Sequence, residues 1–285
     1  MKQFKKTTLL LLLSVFLSVF IFNLYAAEKV EVNKTFKPAA TVEIKTISGD
    51  CIFKIGSANE IKVSLVHNYP ADAFEPIFKE EGNTLILEEK FTDGKKCNHG
   101  SSTWTVTIPE KTNIEFNVIS GNFTASGLKA DIHGKAISGD IDVSDLNGKL
   151  KLEAISGNIK VKKADGEFKL KAVSGDINAS EITFNGKSDF NCISGDIEIV
   201  LAKTAEYGMN LKTISGDINL NYNGNPIKGY FEFKGQKGNL NSPIPFDNAE
   251  DSESHNPFIK KYFKKDGESP KISMATISGE ITLKK

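Results

Sequence analysis

The side chains best suited to chemistry in this sequence stand in two columns. Serine recurs at 48, 120, 138, 156, 174, 194, 215 and 278, and two residues after each comes Asp50, Asn122, Asp140, Asn158, Asp176, Asp196, Asp217 or Glu280. A serine beside a carboxylate suggests acyl transfer. A nucleophile, however, requires one activated hydroxyl with a base in reach, not eight equal copies. Repetition on this scale points to architecture, with Ser and Asp side chains bonding turn backbone. The acid column also suggests calcium, a hard cation that takes oxygen ligands. Stacked carboxylates repel one another; Asn122 and Asn158 relieve this in the first half, whereas Asp176, Asp196 and Asp217 stay acidic. A calcium β-roll needs glycine-rich loops on both sides of each coil, and here only Ser-Gly-Asp recurs. The column reads as a solvated, turn-capping row. No catalytic, cofactor-binding or metal-binding residue is assigned.

The remaining chemistry is thin. His67, His99, His133 and His255 are scattered, and Cys97 with His99 is too little for a metal site. A polysaccharide-active β-helix enzyme is the rival class. Lyases of that shape rely on an arginine base beside calcium-binding acids, and all 36 basic residues here are lysine. A hydrolase needs a carboxylate pair at defined separation, and none is singled out. A concave pocket holding one strongly perturbed acid would revive this reading. The lack of arginine forks also argues against nucleic acid.

The elements that position these columns follow from the spacing. Glycines at 121, 139, 157, 175, 195 and 216 are separated by 18, 18, 18, 20 and 21 residues. A period near twenty is the mark of a stacked repeat. In Ile137–Ala154, Ile141 and Val143 alternate with polar residues, and so do Leu150, Leu152 and Ala154, which is strand spacing. Two turns separate the strands, Ser138-Gly139-Asp140 and Asn147-Gly148, each with a glycine to accept φ > 0. Such a unit cannot bury its apolar face alone, but copies stacked about 4.8 Å apart can. The expected fold is all-β: a single-domain parallel β-solenoid, one coil per repeat.

Phe123, Ile141, Ile159, Ile177, Ile197, Ile218 and Ile281 then form an internal ladder, with Cys51 in the same slot of the first copy. Ala136, Ala154, Ala172, Cys192, Thr213 and Thr276 are small residues suited to a crowded corner. The column Ile137, Ile155, Ile193 and Ile214 is ambiguous. Strict alternation turns it outward and a corner can turn it in; inward is favoured, because a long exposed apolar stripe is uncommon. Lys149, Lys151, Lys160, Lys162, Lys169 and Lys171 alternate with apolar residues as solvated outer faces that discourage edge pairing.

The ends are less regular. Lys2, Lys5 and Lys6 precede an apolar run from Leu9 to Phe22 and a small-residue exit at Ala26 and Ala27. This reads as a secretory signal over residues 1–26, the alternative being an uncleaved anchor. Its removal leaves 33 lysines against 36 acids. The β-solenoid is assigned to 27–285: irregular N-terminal coils and cap at 27–118, regular coils at 119–222, an insertion at 223–271 and a closing coil at 272–285. Within the insertion Gly229–Lys234 suits a strand, and 255–264 a short amphipathic helix or a mobile loop. A Cys51–Cys97 disulfide is open in an oxidising compartment.

The signal segment, coils of 18 to 21 residues, Thr107-Ile-Pro-Glu110 before Ile114–Ile119, the repeated Ile-Ser-Gly-Asp-Ile turn and a final Thr276–Leu283 together resemble a bacterial β-strand-repeat family of unknown function that goes by the name putative adhesin. The resemblance implies an exported bacterial β-solenoid and supplies no catalytic residues. The resulting expectation is a non-enzymatic, extracytoplasmic structural or adhesin-like binding scaffold of the cell envelope. Its partners would be envelope components, glycans or a surface protein, with no nucleic acid and membrane contact only through an uncleaved signal segment. A periplasmic accessory in envelope stress or assembly is the second non-enzymatic reading.

Overall fold

The computed structural model describes residues 29–92, 100–236, 238–251 and 258–285. The proposed signal segment, Cys97, His99 and His255 fall outside that set. Each regular repeat makes two strands, one on each of two sheets. The strands Ile132–Ser138, Leu150–Ser156, Phe168–Ser174 and Ser188–Ser194 stack in parallel on one sheet. Their partners Ile141–Asn147, Ile159–Gly166, Ile177–Phe184 and Ile197–Leu201 stack in parallel on the other. This is the parallel β-solenoid that the spacing demands.

Register is what buries the core. Ile141 lies over Phe123 and under Ile159, which lies under Ile177, then Ile197, Ile218 and Ile281. All seven are fully buried. Each side chain of this size contributes roughly 1.5–3 kcal/mol by leaving water, and a one-residue slip would turn the whole column out. Phe116 stacks on Phe123 with ring centroids 3.7 Å apart. It fits because Gly134 stands above it on the next coil, where a Cβ would come within 2.2 Å of the ring.

The two turns work differently. From Gly121 onward the glycine of this turn takes φ of +139° to +154°, and its amide bonds the serine carbonyl of the next coil, as in Gly139 N to Ser156 O at 3.1 Å. A Cβ on Gly157 would lie 2.1 Å from the Gly139 carbonyl oxygen. At the second turn the positive φ falls elsewhere than expected: Asp145, Lys163 and Glu181 adopt φ of 51°, 53° and 58°, not Gly148. Gly148 is required for space instead, since its Cβ would meet the Ala130 carbonyl oxygen at 2.1 Å.

The chain does not climb the stack in simple order. Strand Thr41–Ile55, which carries Ile47-Ser-Gly-Asp50, bends across both sheets. It lies between Asn113–Ser120 and Thr84–Phe91 on one sheet and between Phe123–Ser126 and Ser102–Ile108 on the other. The same interleaving occurs at the far end. Lys271–Ala275 lies between Met209–Lys212 and Gly229–Gln236, and Ile281–Lys284 between Ile218–Asn221 and Leu240–Asn241. The stretch 223–271 therefore supplies the outermost coil, and the coil of Ile277 sits inside it. The segment read as a short helix or loop is the strand Phe258–Lys265, paired antiparallel with Gly229–Gln236. Antiparallel strands finish the other end too: Phe74–Glu81 on Thr84–Phe91, and Val30–Phe36 on Ile61–His67 on Ser102–Ile108.

The corner geometry predicts a sharp contrast between glycines. Gly157→Val should lower stability by roughly 3 kcal/mol or more, since it combines a forbidden φ with a backbone clash. Gly186→Ala, where a Cβ would lie 3.3 Å from the Glu167 side chain and no positive φ is needed, should be close to neutral. Urea unfolding of both variants checks this; equal midpoints would overturn the turn geometry.

Candidate functional site

The repeated corner carries the outward chemistry of the molecule. The chain enters it on a small buried residue, and in the later coils that residue bonds back: Cys192 Sγ to Gly175 O at 3.1 Å, Thr213 Oγ1 to Gly195 O at 3.1 Å, Thr276 Oγ1 to Gly216 O at 3.0 Å. Alternation then turns the next residue out. Ile47, Ile119, Ile137, Ile193, Ile214 and Ile277 are 39–53% exposed, with Ile155 and Val173 half-buried in the same row. This corrects the inward placement expected above. Strand parity runs one residue further than supposed and breaks only at Ser-Gly, after the isoleucine. The result is a ridge of eight aliphatic side chains along the solenoid.

The columns beside the ridge are polar. On one flank, two residues earlier, stand Lys45, Asn117, Lys135, Glu153, Lys171, Asn191 and Lys212. On the other stands the acid row, and its role is now visible. From Asp50 to Asp217, each carboxylate or amide oxygen accepts the backbone N–H of the equivalent residue on the next coil: Asp50 Oδ1 from Asn122 N at 2.8 Å, Asp140 Oδ1 from Asn158 N at 2.7 Å, Asp176 Oδ1 from Asp196 N at 2.9 Å, Asp217 Oδ1 from Glu280 N at 2.8 Å. The serines contribute their carbonyls to the corner, as in Ser138 O, while seven of the eight side chains, all but the half-buried Ser48, are exposed. The part expected of the hydroxyls in bonding the turn thus belongs to the main chain.

Toward the far end the ridge opens into a groove of about 610 Å³, lined by Cys192, Ile193, Ile214 and Ile277 with Lys212 and Lys234. The Cys192 thiol is pushed up by burial, and the Cys51 thiol is pushed up to about 12 for the same reason. Neither thiol is suited to nucleophilic chemistry. Among the described residues no cluster of three or more His, Cys, Asp or Glu is placed to hold a metal ion. The Cys51–Cys97 pairing involves a residue outside the described set.

One chemical cluster escaped the repeat pattern. Glu89 is 3% exposed and its carboxylate accepts from Ile47 N at 2.7 Å, Ser48 N at 3.1 Å, Trp104 Nε1 at 3.0 Å and the Ser102 hydroxyl. It stands where the other coils place Val118, Ala, Cys192 or Thr, and it satisfies the corner amides that have no further Ser-Gly-Asp coil above them. Nearby His67 packs on Phe74 with centroids 4.6 Å apart, its Nδ1 buried without a partner. Burial lowers the His67 pKa, against an opposing pull from Glu89. The available signal was an acid at inward parity, in the run Leu85, Leu87, Glu89.

A family model described as Toastrack DUF4097 matches residues 37–242. The chain belongs to this Toastrack family. Among solved structures, the Toastrack chain is similar to a putative adhesin from Bacteroides fragilis, at 15% identity over 90% of this chain and 98% of that one, with a TM-score of 0.49. It is also similar to a putative adhesin from Parabacteroides merdae, at 12% identity over 91% and 98%, TM-score 0.47. A third is a putative lipid binding protein from Parabacteroides distasonis, at 15% identity over 90% and 97%, TM-score 0.38. No curated protein matches the chain.

Two predictions follow from the buried end of the Toastrack corner. Glu89→Ala should cost about 3 kcal/mol, because it strands buried donors. It should also change the emission of Trp104, the chain's single tryptophan; an unchanged spectrum and melting point would remove Glu89 from the corner. For His67 the folded pKa lies below the unfolded value. The unfolded state therefore binds more protons once pH falls below about 6.5, and stability is lost from there down through the folded pKa. His67→Phe should flatten that part of the stability profile, measured by thermal melts between pH 7.5 and pH 5.

Proposed function

We propose that this Toastrack chain is an exported, non-enzymatic binding scaffold of the bacterial cell envelope, structural or adhesin-like in use. One observation carries the reading. The polar groups that repeat along the corner are spent on holding coil to coil, while eight aliphatic side chains are turned to solvent beside them. A long exposed apolar stripe bordered by polar columns is how a binding surface is built. An active site would instead single out one coil, and the acids of the regular corners are equivalent members of a ladder. The rigid stack keeps the surface in one shape over its whole length, so little ordering is needed on binding. Export rests on the charged and apolar segment over residues 1–26.

Protease treatment of intact cells tests the location, after N-terminal sequencing of the mature chain. Digestion on intact cells, with a mature chain beginning near residue 27, is the expected result for a surface scaffold. Protection until the envelope is opened would replace adhesion with a periplasmic accessory role. A chain protected within the cytoplasm would overturn the proposal.

A further inference from the structure

The ridge has properties that select its partner. Its rungs are spaced by the interval between stacked strands, about 4.8 Å, and the register is held where the sequence could have broken it. The two extra residues of one repeat and the three of the next fall between Ile177 and Ser188 and between Ile197 and Met209, on the far side of the coil. At the ridge Ser174 still faces Ser194, Ser194 faces Ser215, and Ser215 faces Ser278. The excursion between Asn221 and Lys271 likewise returns to place Ile277 beside Ile214. The stripe is also bounded. Continuing the registers of the outermost coils puts Lys90 beyond Ile47 and Gln236 beyond Ile277, and Gln236 Nε2 bonds the Ile277 carbonyl at 3.2 Å. A finite, evenly spaced aliphatic ladder is matched rung for rung only by a surface with the same interval, which is another in-register β stack.

Charge then chooses the orientation. The ridge carries Lys45, Lys135, Lys171 and Lys212 on one flank, with Glu153 as the single acid among them, and Asp50, Asp140, Asp176, Asp196, Asp217 and Glu280 on the other. When two ridges face each other about a two-fold axis parallel to the solenoid axis, each lysine flank meets the partner's acid flank. About a two-fold axis perpendicular to the solenoid, lysines meet lysines and acids meet acids. We propose that the isoleucine ridge is the self-association surface of a parallel, in-register homodimer, with ridge packed on ridge and lysine flank on acid flank. The excess of acids beside the ridge disfavours an anionic membrane as the alternative occupant. A contact eight rungs long places the dimer at the lower edge of specific interfaces, which is about 1,000 Å² in total, so it exchanges and is best captured covalently. The proposal rests on the scaffold reading only in treating the ridge as a binding surface; cellular location does not enter its test.

The test uses the full-length chain in the cells that make it, in a Cys97→Ser background, with a short thiol-reactive bismaleimide. Ile47→Cys alone and Ile277→Cys alone should each give a cross-linked dimer. Co-expressing the two variants with different tags should give little mixed 47-to-277 product. Lys135→Glu with Lys171→Glu should reduce the yield about tenfold. Ile137→Ser, Ile155→Ser and Ile193→Ser together should abolish it while the purified chain keeps its melting temperature, since these positions are exposed or half-buried. No cross-link at either end, or a 47-to-277 product in place of the like pairs, would overturn the parallel dimer. Retention on phosphatidylethanolamine–phosphatidylglycerol vesicles that is lost in the triple serine variant, without cross-linking, would assign the ridge to lipid and overturn it as well. Digestion results on intact cells can fail independently, so the two proposals are separable.

Discussion

The fold depends on the close approach of one glycine to the next at the Ser-Gly-Asp corner. The Gly157 α-carbon lies so near the Gly139 carbonyl that no side chain fits between them. That contact draws adjacent coils to strand spacing on both sides of the bend. It explains why glycine persists at 121, 139, 157, 175, 195, 216 and 279 while the second turn tolerates Asp145, Lys163 and Glu181 at its positive φ. Asp, Lys and Glu can adopt that conformation at a cost of roughly 1–2 kcal/mol each, but none can remove a Cβ. Once the corner is set, the Asp oxygen on one coil is within reach of the amide on the next, and the ladder of side chain to backbone bonds follows. The repulsion between neighbouring carboxylates is offset one bond at a time, which is why Asn is not needed at every rung.

A stack of this kind has two open ends, and both are closed by the same device. A coil distant in sequence is laid outside one that carries the consensus, and antiparallel strands are paired to its edge. Thr84–Phe91 and Ser102–Ile108 cover the coil of Ile47 at one end; Gly229–Gln236 and Leu240–Asn241 cover the coil of Ile277 at the other. The two outermost coils lack the Ile-Ser-Gly signature because they have no neighbour to receive it. Glu89 shows the consequence. Its carboxylate takes over the corner amides of Ile47 and Ser48, which face the end of the stack. The aromatic cluster of His67, Tyr69, Phe74 and Phe91 then seals the region.

The regular coils were legible in the sequence because a glycine column, an apolar column and a period near 18 all describe one local geometry. The internal ladder from Phe123 to Ile281 follows from alternation alone. What was not legible depends on contacts between distant residues. The interleaving of the end coils is invisible to a period count, so 223–271 looked like an insertion, and Phe258–Lys265 looked helical or loose when it is a strand paired between Gly229–Gln236 and Asn248–Asp251, with Phe263 buried and stacked on Phe231 at 4.6 Å. The isoleucine column was misplaced for a different reason. Strand parity and the rarity of exposed stripes gave opposite answers, and the second was preferred. The corner keeps parity through the isoleucine and breaks it at the serine. Glu89 was missed because it belongs to the one coil where the repeat stops.

That misplacement bears on how an exposed apolar residue is weighed. A single exposed isoleucine needs no explanation. Seven isoleucines and Val173 in one row, six of the eight exposed and all kept in line across two lengthened repeats and across an excursion of the chain, are a different observation, because the burial of each coil's core does not require them. The buried columns hold the coil together, the glycine sets the corner, and the Asp ladder ties coil to coil; serine or threonine at the outward position would satisfy the same backbone. An outward aliphatic side chain gains only the modest contact with its neighbours on adjacent coils, and it adds an exposed patch that favours association. Its recurrence along the ridge, and its end where the ridge ends, separate the surface that acts from the residues that merely build.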